Sequence, residues 1–255
     1  MIITNIRLVK NKVIISLDNN QTLTLPVETL SYYFLKEGFF ISEDLLKEIR
    51  KFEKKIEVFN YAITLLKRRD YFKNEVKQKI VKKQYDKEIV FFVIKRLEEL
   101  HYLDDESLLN RLIEKWNNQN YSNKNIKCRL FKKGLNKEDF KNKLNNDERE
   151  IDKAKKVAYN KMKDLSQLGG NPLKIKLVAY LKRKGFDTNI VIRALDELEI
   201  PPVKKENLRN EIKNLINIAS KNTTNEKSRK LVFRKLMNKG YNYNDIEKEM
   251  ENIHD

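Results

Sequence analysis

The chain has 255 residues, of which 40% are hydrophobic and 36% charged, so its apolar surface suffices for several modest cores rather than one large one. Its formal net charge is +17, which points to a polyanionic partner. No apolar run approaches the ~20 residues that span a bilayer, the start Met1-Ile2-Ile3-Thr4 lacks a basic leader region, and the single cysteine, Cys128, excludes an internal disulfide and a multi-cysteine metal site. A reducing cytoplasm, with no membrane contact, is the expected setting.

With only 6 Gly and 4 Pro, the composition is that of a mainly helical protein. Residues 1–41 differ from the rest. Ile3–Val9 and Lys12–Leu17 read as strands, 18–21 as a turn and 22–25 as a third strand ended by Pro26, together a small antiparallel sheet. A short helix is expected over 27–37, and Ser42 caps the next one. From there the apolar spacing through Leu45, Leu46, Ile49 and Phe52, then Val58, Ala62, Leu65 and Leu66, is helical. Further helices are expected at 72–83 and 86–100; at 104–117, 122–133 and 136–145; at 147–165, 171–184 and 187–199; and at 204–219, 225–239 and 243–253. Gly169-Gly170-Asn171-Pro172 and Pro201-Pro202 mark breaks. The expected domains are 1–41, 42–100 (lead-in helix and repeat 1), 101–146, 147–200 and 201–255.

The four segments after residue 41 repeat one pattern. The middle helix closes at Gln84, Gly134, Gly185 and Gly240, at steps of 50, 51 and 55 residues. Eight residues before each closing stand Val76, Ile126, Leu177 and Val232; four before stand Ile80, Leu130, Leu181 and Leu236. Each pair lies on one buried helical face. A lysine always precedes the closing residue: Lys83, Lys133, Lys184 and Lys239. Glycine there suits a left-handed helix end. Asp86, Asn136, Asp187 and Asn242 then stand ready to cap the next helix, and Ile94, Leu144, Leu195 and Met250 fall on its buried face. The fold class is mainly α: an elongated tandem array of three-helix, helix-turn-helix-like repeats behind a small N-terminal sheet.

The positive charge gathers on the middle helices. Residues 71–84 carry +4, 121–134 and 171–185 carry +5 each, and 227–240 carry +6, together more than the net charge of the whole chain. Lys82, Lys83, Lys132, Lys133, Arg183, Lys184 and Lys239 lie in last turns, where the helix dipole favours them. That does not account for Lys73, Lys77, Lys79, Lys124, Lys127, Arg129, Lys174, Lys176, Lys227, Arg229, Lys230, Arg234 and Lys235 upstream. With Lys132 and Arg183 these form a candidate binding face for an extended nucleic acid or nucleoprotein.

Nothing advertises catalysis. His101 and His254 are the only histidines and lack metal-ligand spacing, and no phosphate-binding glycine loop or nucleophile motif is present. Asp104-Asp105-Glu106 stands where a helix begins and reads as capping. Trp116 shares a face with Leu109, Leu112 and Ile113 and reads as core; Tyr102 and Leu103 read as pinning one unit to the next; Cys128 lies off the buried line and reads as partly exposed. The chain is read as a non-enzyme without cofactor or metal, and as a monomer.

Arg69, Glu75-Val76, His101-Tyr102-Leu103-Asp104-Asp105 and Lys133-Gly134-Leu135 fall in the order and at the distances of a known signature. Over 62–135 the chain resembles the RecX family, bacterial regulators of the recombinase RecA. His101 stands where that family has Gly, Phe72 where Ser is usual, and Leu108-Leu109 for a Phe-Ala pair. The resemblance implies a protein that lodges in the groove of the RecA–DNA filament and modulates, chiefly by inhibition, its ATP hydrolysis, strand exchange and stability. Contact with single- and double-stranded DNA would be weak and sequence-independent. On this view Arg69, Tyr102, Leu103, Asp104, Asp105 and Gly134 are structural. The alternative is a helix-turn-helix-like protein that binds DNA directly, with no recombinase partner.

Overall fold

The computed structural model describes residues 1–10, 12–219 and 225–252; His254 lies outside them. It is 66% helical, with a small three-stranded antiparallel sheet, and divides into two compact units, 1–110 and 111–255.

In the first unit β1 (Ile3–Val9), β2 (Lys12–Leu17) and β3 (Thr22–Pro26) pair in the order β1-β2-β3, in the register Ile3↔Leu17 and Val13↔Leu25. Alternation turns Val13, Ile15, Leu17 and Leu25 to one face, where they are buried with Ile3, Leu35, Ile41 and Ile49. Helix α1 covers Val27–Tyr32 and stops short of the expected residue 37. Phe34 turns left-handed (φ +50°) and the Leu35 amide reaches back to the Leu30 carbonyl. That turn drops Leu35 into the core, a gain that outweighs further helix.

Helix α2 (Glu43–Leu66) opens where the Ser42 Oγ accepts from the Leu45 amide, 3.1 Å away. Its first half gives Ile49 to the sheet core; its second half gives Val58, Ala62 and Leu65 to a separate core. That second core is completed by α3 (Lys73–Val81) and α4 (Lys87–Glu99), through Val76, Ile80, Ile89, Val93 and Leu97, and by Leu103.

Helix α5 (Asp105–Asn118) spans the division between the units. After it come α6 (Asn123–Lys132), α7 (Lys137–Phe140), α8 (Asp147–Asp164), α9 (Gly170–Arg183), α10 (Thr188–Asp196), α11 (Lys205–Ala219), α12 (Asn225–Asn238) and α13 (Tyr243–Glu251). One core joins α8, α9 and α10 around Ile151, Leu177, Leu181 and Val191; another joins α11, α12 and α13 around Ile212, Val232, Leu236 and Ile246. The expected helix 136–145 is reduced to α7 and a 3₁₀ turn at Lys141–Lys143. Phe140 and Leu144 still reach the interior, while Asn142, Asn145 and Asn146 are weak helix formers.

The repeat is written into the backbone. All eight residues that mark the expected buried faces, from Val76 and Ile80 to Val232 and Leu236, are fully buried. The closing residues are all left-handed, with φ of +61° at Gln84, +82° at Gly134, +88° at Gly185 and +90° at Gly240. After each glycine the next amide returns to the buried i−5 carbonyl: Leu135 to Leu130, Phe186 to Leu181, Tyr241 to Leu236. This is the hydrogen bond of a Schellman ending. Asp86, Asp187 and Asn242 occupy the N-cap positions, yet their side chains make no capping bond. No described helix is long and apolar enough to cross a membrane.

Candidate nucleic-acid interface

The basic helices α3, α6 and α9 are each held at the N-terminus by an acceptor from further along the chain. Asp105 Oδ1 accepts from the Lys73 amide at 2.7 Å, Glu150 Oε1 from the Asn123 amide at 2.8 Å, and the Pro201 carbonyl from the Gly170 amide at 2.7 Å. At α3 the signature residues supply more of this frame. Glu75 Oε2 accepts from the Phe72 amide at 3.0 Å, Arg69 pairs with Glu75 at 3.2 Å, and the Arg69 guanidinium stacks 3.7 Å over the Tyr71 ring. Asp104 caps its own helix by accepting from the Ser107 amide at 3.0 Å. Burial raises the Asp105 carboxyl above its ordinary value, and the Lys73 amide partly offsets this.

Glu150 belongs to a buried cluster that the sequence reading missed. The Lys153 ammonium is buried and donates to Asn117 Oδ1 at 2.9 Å and Asn123 Oδ1 at 2.8 Å, and it pairs with Glu150 at 2.6 Å. Burial lowers the Lys153 pKa despite the carboxylate beside it. An i, i+3 Glu–Lys pair looks like helix surface in a sequence; only the asparagines of two other helices reveal otherwise.

In the second unit the basic helices meet end to end. The Lys184 carbonyl, past the end of α9, accepts from Ser122 Oγ at 2.9 Å and Asn125 Nδ2 at 2.6 Å, at the start of α6. The Gly240 carbonyl, past the end of α12, accepts from Asn171 Nδ2 at 3.1 Å at the start of α9. A Cβ on Gly185 would lie 2.8 Å from Ser122 Oγ, and one on Gly240 would lie 2.4 Å from Ile175 Cδ1. These glycines are therefore required twice, by backbone and by contact. Each junction sets a negative helix end against a positive one.

None of the candidate cations is buried. Lys79, Lys127 and Lys174 are half-buried; Lys73, Lys77, Lys124, Arg129, Lys132, Lys176, Arg183, Lys227, Arg229, Lys230, Arg234 and Lys235 are exposed. Lys73 pairs with Glu98 at 2.5 Å, Lys174 with Asp196 at 2.9 Å and Lys230 with Glu226 at 3.0 Å. The Glu98 hydrogen bond raises the Lys73 pKa. Lys77, Lys124, Lys127, Lys132, Lys176, Lys227, Arg229, Arg234 and Lys235 form no ion pair among the described residues. Tyr121, beside the start of α6, carries the Arg129 guanidinium 4.2 Å above its ring, while Trp116 is buried 5.7 Å from it. Those rings carry cations rather than offering free faces. Tyr102 is 55% exposed, whereas Leu103 is buried in the first unit's core. His101 takes φ +56°, the left-handed conformation that a glycine would adopt without strain. Cys128 is exposed.

The chain is thus mainly helical behind a small sheet, with a cationic helix that recurs along it. No family model matches it. It is 26% identical over 254 residues to the regulatory protein RecX of Streptococcus agalactiae serotype V, covering 96% of this chain and 97% of that one. It is 27% identical over 186 residues to RecX of Finegoldia magna, covering 71% and 91%. A crystal structure of regulatory protein RecX superposes with a TM-score of 0.63 at 19% identity, over 77% of this chain and 99% of that one. RecX from Lactobacillus salivarius gives 0.52 at 21% identity, over 56% and 96%. The resemblance borne by the Tyr102–Asp105 signature thus extends along nearly the whole chain, which is RecX-like in sequence and in fold.

Proposed function

We propose that the chain is a non-enzymatic regulator that binds in the groove of a RecA–DNA filament and inhibits its ATP hydrolysis, strand exchange and persistence. Its similarity to proteins named as RecX regulators supports the regulatory part. The observation that carries the binding part is the row of unpaired, exposed cations on α6, α9 and α12, helices joined end to end through Lys184 and Gly240. A row of cations on joined helices suits a partner whose negative charge is itself extended. The four-repeat division at 42–100, 101–146, 147–200 and 201–255 belongs to this proposal, as do a shared direction for the basic faces and a monomer acting in the cytoplasm.

Adding the purified chain to RecA on single-stranded DNA should lower the steady-state ATPase rate and shorten filaments. An unchanged rate at saturating protein overturns the proposal. Direct DNA binding is separated by mobility on bare duplex. The filament reading expects weak, salt-sensitive and sequence-blind retardation, whereas a helix-turn-helix reader would show a preferred sequence.

A further inference from the structure

A second basic surface lies apart from the repeated helices. Lys47/Arg50 and Lys51/Lys54 are three residues apart and Lys47/Lys51 and Arg50/Lys54 four apart on the first half of α2, so the four share one side of that helix. With Lys87 at the start of α4 they line a cleft of about 700 Å³, whose lining also includes the carboxylates of Asp86 and Glu88 beside Lys87. No residue of α3 lines it. Like charges at i, i+4, as in Lys47/Lys51 and Arg50/Lys54, weaken a helix. Lys51 pairs with Glu88 at 2.5 Å and Lys47 with Asp44 at 3.1 Å, whereas Arg50, Lys54 and Lys87 form no ion pair among the described residues.

We propose that this cleft is a second contact for nucleic acid and takes the phosphates of a single strand. Ile89 is its one apolar lining side chain and it has no aromatic one, so it offers neither a stacking platform nor a hydrophobic pocket for a base. Flexible ammonium groups match a phosphodiester chain and carry no sequence information.

The test is the full chain carrying Arg50→Glu, Lys54→Glu and Lys87→Glu, titrated against fluorescent oligothymidylate and, in a separate arm, against inorganic tripolyphosphate. All three positions are exposed, so the circular dichroism spectrum and melting should be unchanged. Binding to the oligonucleotide should fall at least about tenfold, and the slope of log affinity against log salt should shrink by about 2, at ~0.7 per lost phosphate contact. Loss of tripolyphosphate binding with no oligonucleotide binding by either protein would keep the anion site and make its source a free phosphate compound. Equal binding of both probes by variant and parent overturns the proposal. A parallel variant with Lys124→Glu, Lys127→Glu and Arg129→Glu reads the α6 face alone. Loss there with none at the cleft variant sinks the cleft and spares the filament reading; the reverse pattern sinks the α6 face and spares the cleft.

Discussion

Ser122 Oγ accepts from the Asn125 amide at 3.3 Å and donates to the Lys184 carbonyl at 2.9 Å. One hydroxyl thus caps the start of α6 and ties down the end of α9. Ser122→Ala removes both bonds in a buried setting and should cost about 1–3 kcal/mol, read as a fall in denaturant midpoint. Gly185→Ala should cost a similar amount, since its φ is +88° and the new methyl would press on that hydroxyl. The double variant should lose less than the two single losses combined, because deleting the hydroxyl removes the collision. Strict additivity would show that the two residues do not touch.

Asp105 should separate its hydrogen bond from its charge. Asp105→Asn keeps an acceptor for the Lys73 amide and sheds the burial penalty that raises the carboxyl pKa, so thermal stability should be unchanged or slightly higher. Asp105→Ala leaves the amide without its acceptor and should cost about 1 kcal/mol. Equal losses would show that the charge itself matters.

Lys153 predicts a pH dependence with a definite sign. Burial lowers its pKa in the folded chain, so between that value and the ordinary ~10.4 the unfolded chain binds more protons. Stability should therefore rise with pH across that window, relative to Lys153→Met. At neutral pH, Lys153→Met should itself cost about 3 kcal/mol or more, because Glu150 remains buried without its cation. Urea unfolding of both proteins at several pH values measures both effects.

Leu130 and its cationic neighbours divide fold from function within a single helix. Leu130→Ala should cost about 2–5 kcal/mol, since its side chain is fully buried. Reversing Lys124, Lys127 and Arg129 to Glu should leave helicity intact and lower melting only slightly, through loss of the Arg129–Tyr121 stack worth about 0.5–1 kcal/mol. Inhibition of the RecA ATPase should disappear. Comparable unfolding by the charge reversal would make these residues structural.

Local signals in the sequence located the three strands, the middle helices and the three left-handed glycine closings, because alternation, i, i+4 spacing and a glycine after a lysine are written within a few residues; the left-handed turn at Gln84 carried no such signal. The misses came from farther away. The capping bonds expected of Asp86, Asp187 and Asn242 are not made, whereas Asp105, Glu150 and Pro201 hold helix starts about thirty residues earlier. No window of sequence pairs residues at that distance. Overextension of α1 and α7 has a similar origin. Leu35 and Leu144 reach the interior by leaving the helix, and periodicity cannot tell a turn from continued winding.

Gln84 carries a side chain at the position where Gly185 and Gly240 cannot. No earlier copy of this middle helix precedes α3, so Gln84 has no such helix start to meet. The contacts at Gly185 and Gly240 therefore have a sense of direction: the later copy presents a bare backbone, and the copy before it presents a serine or asparagine hand to grip it. Lengthening such a chain by grafting one more copy behind α13 would demand only a well-placed glycine in the newcomer, whereas grafting one ahead of α3 would first require that Gln84 be stripped of its side chain.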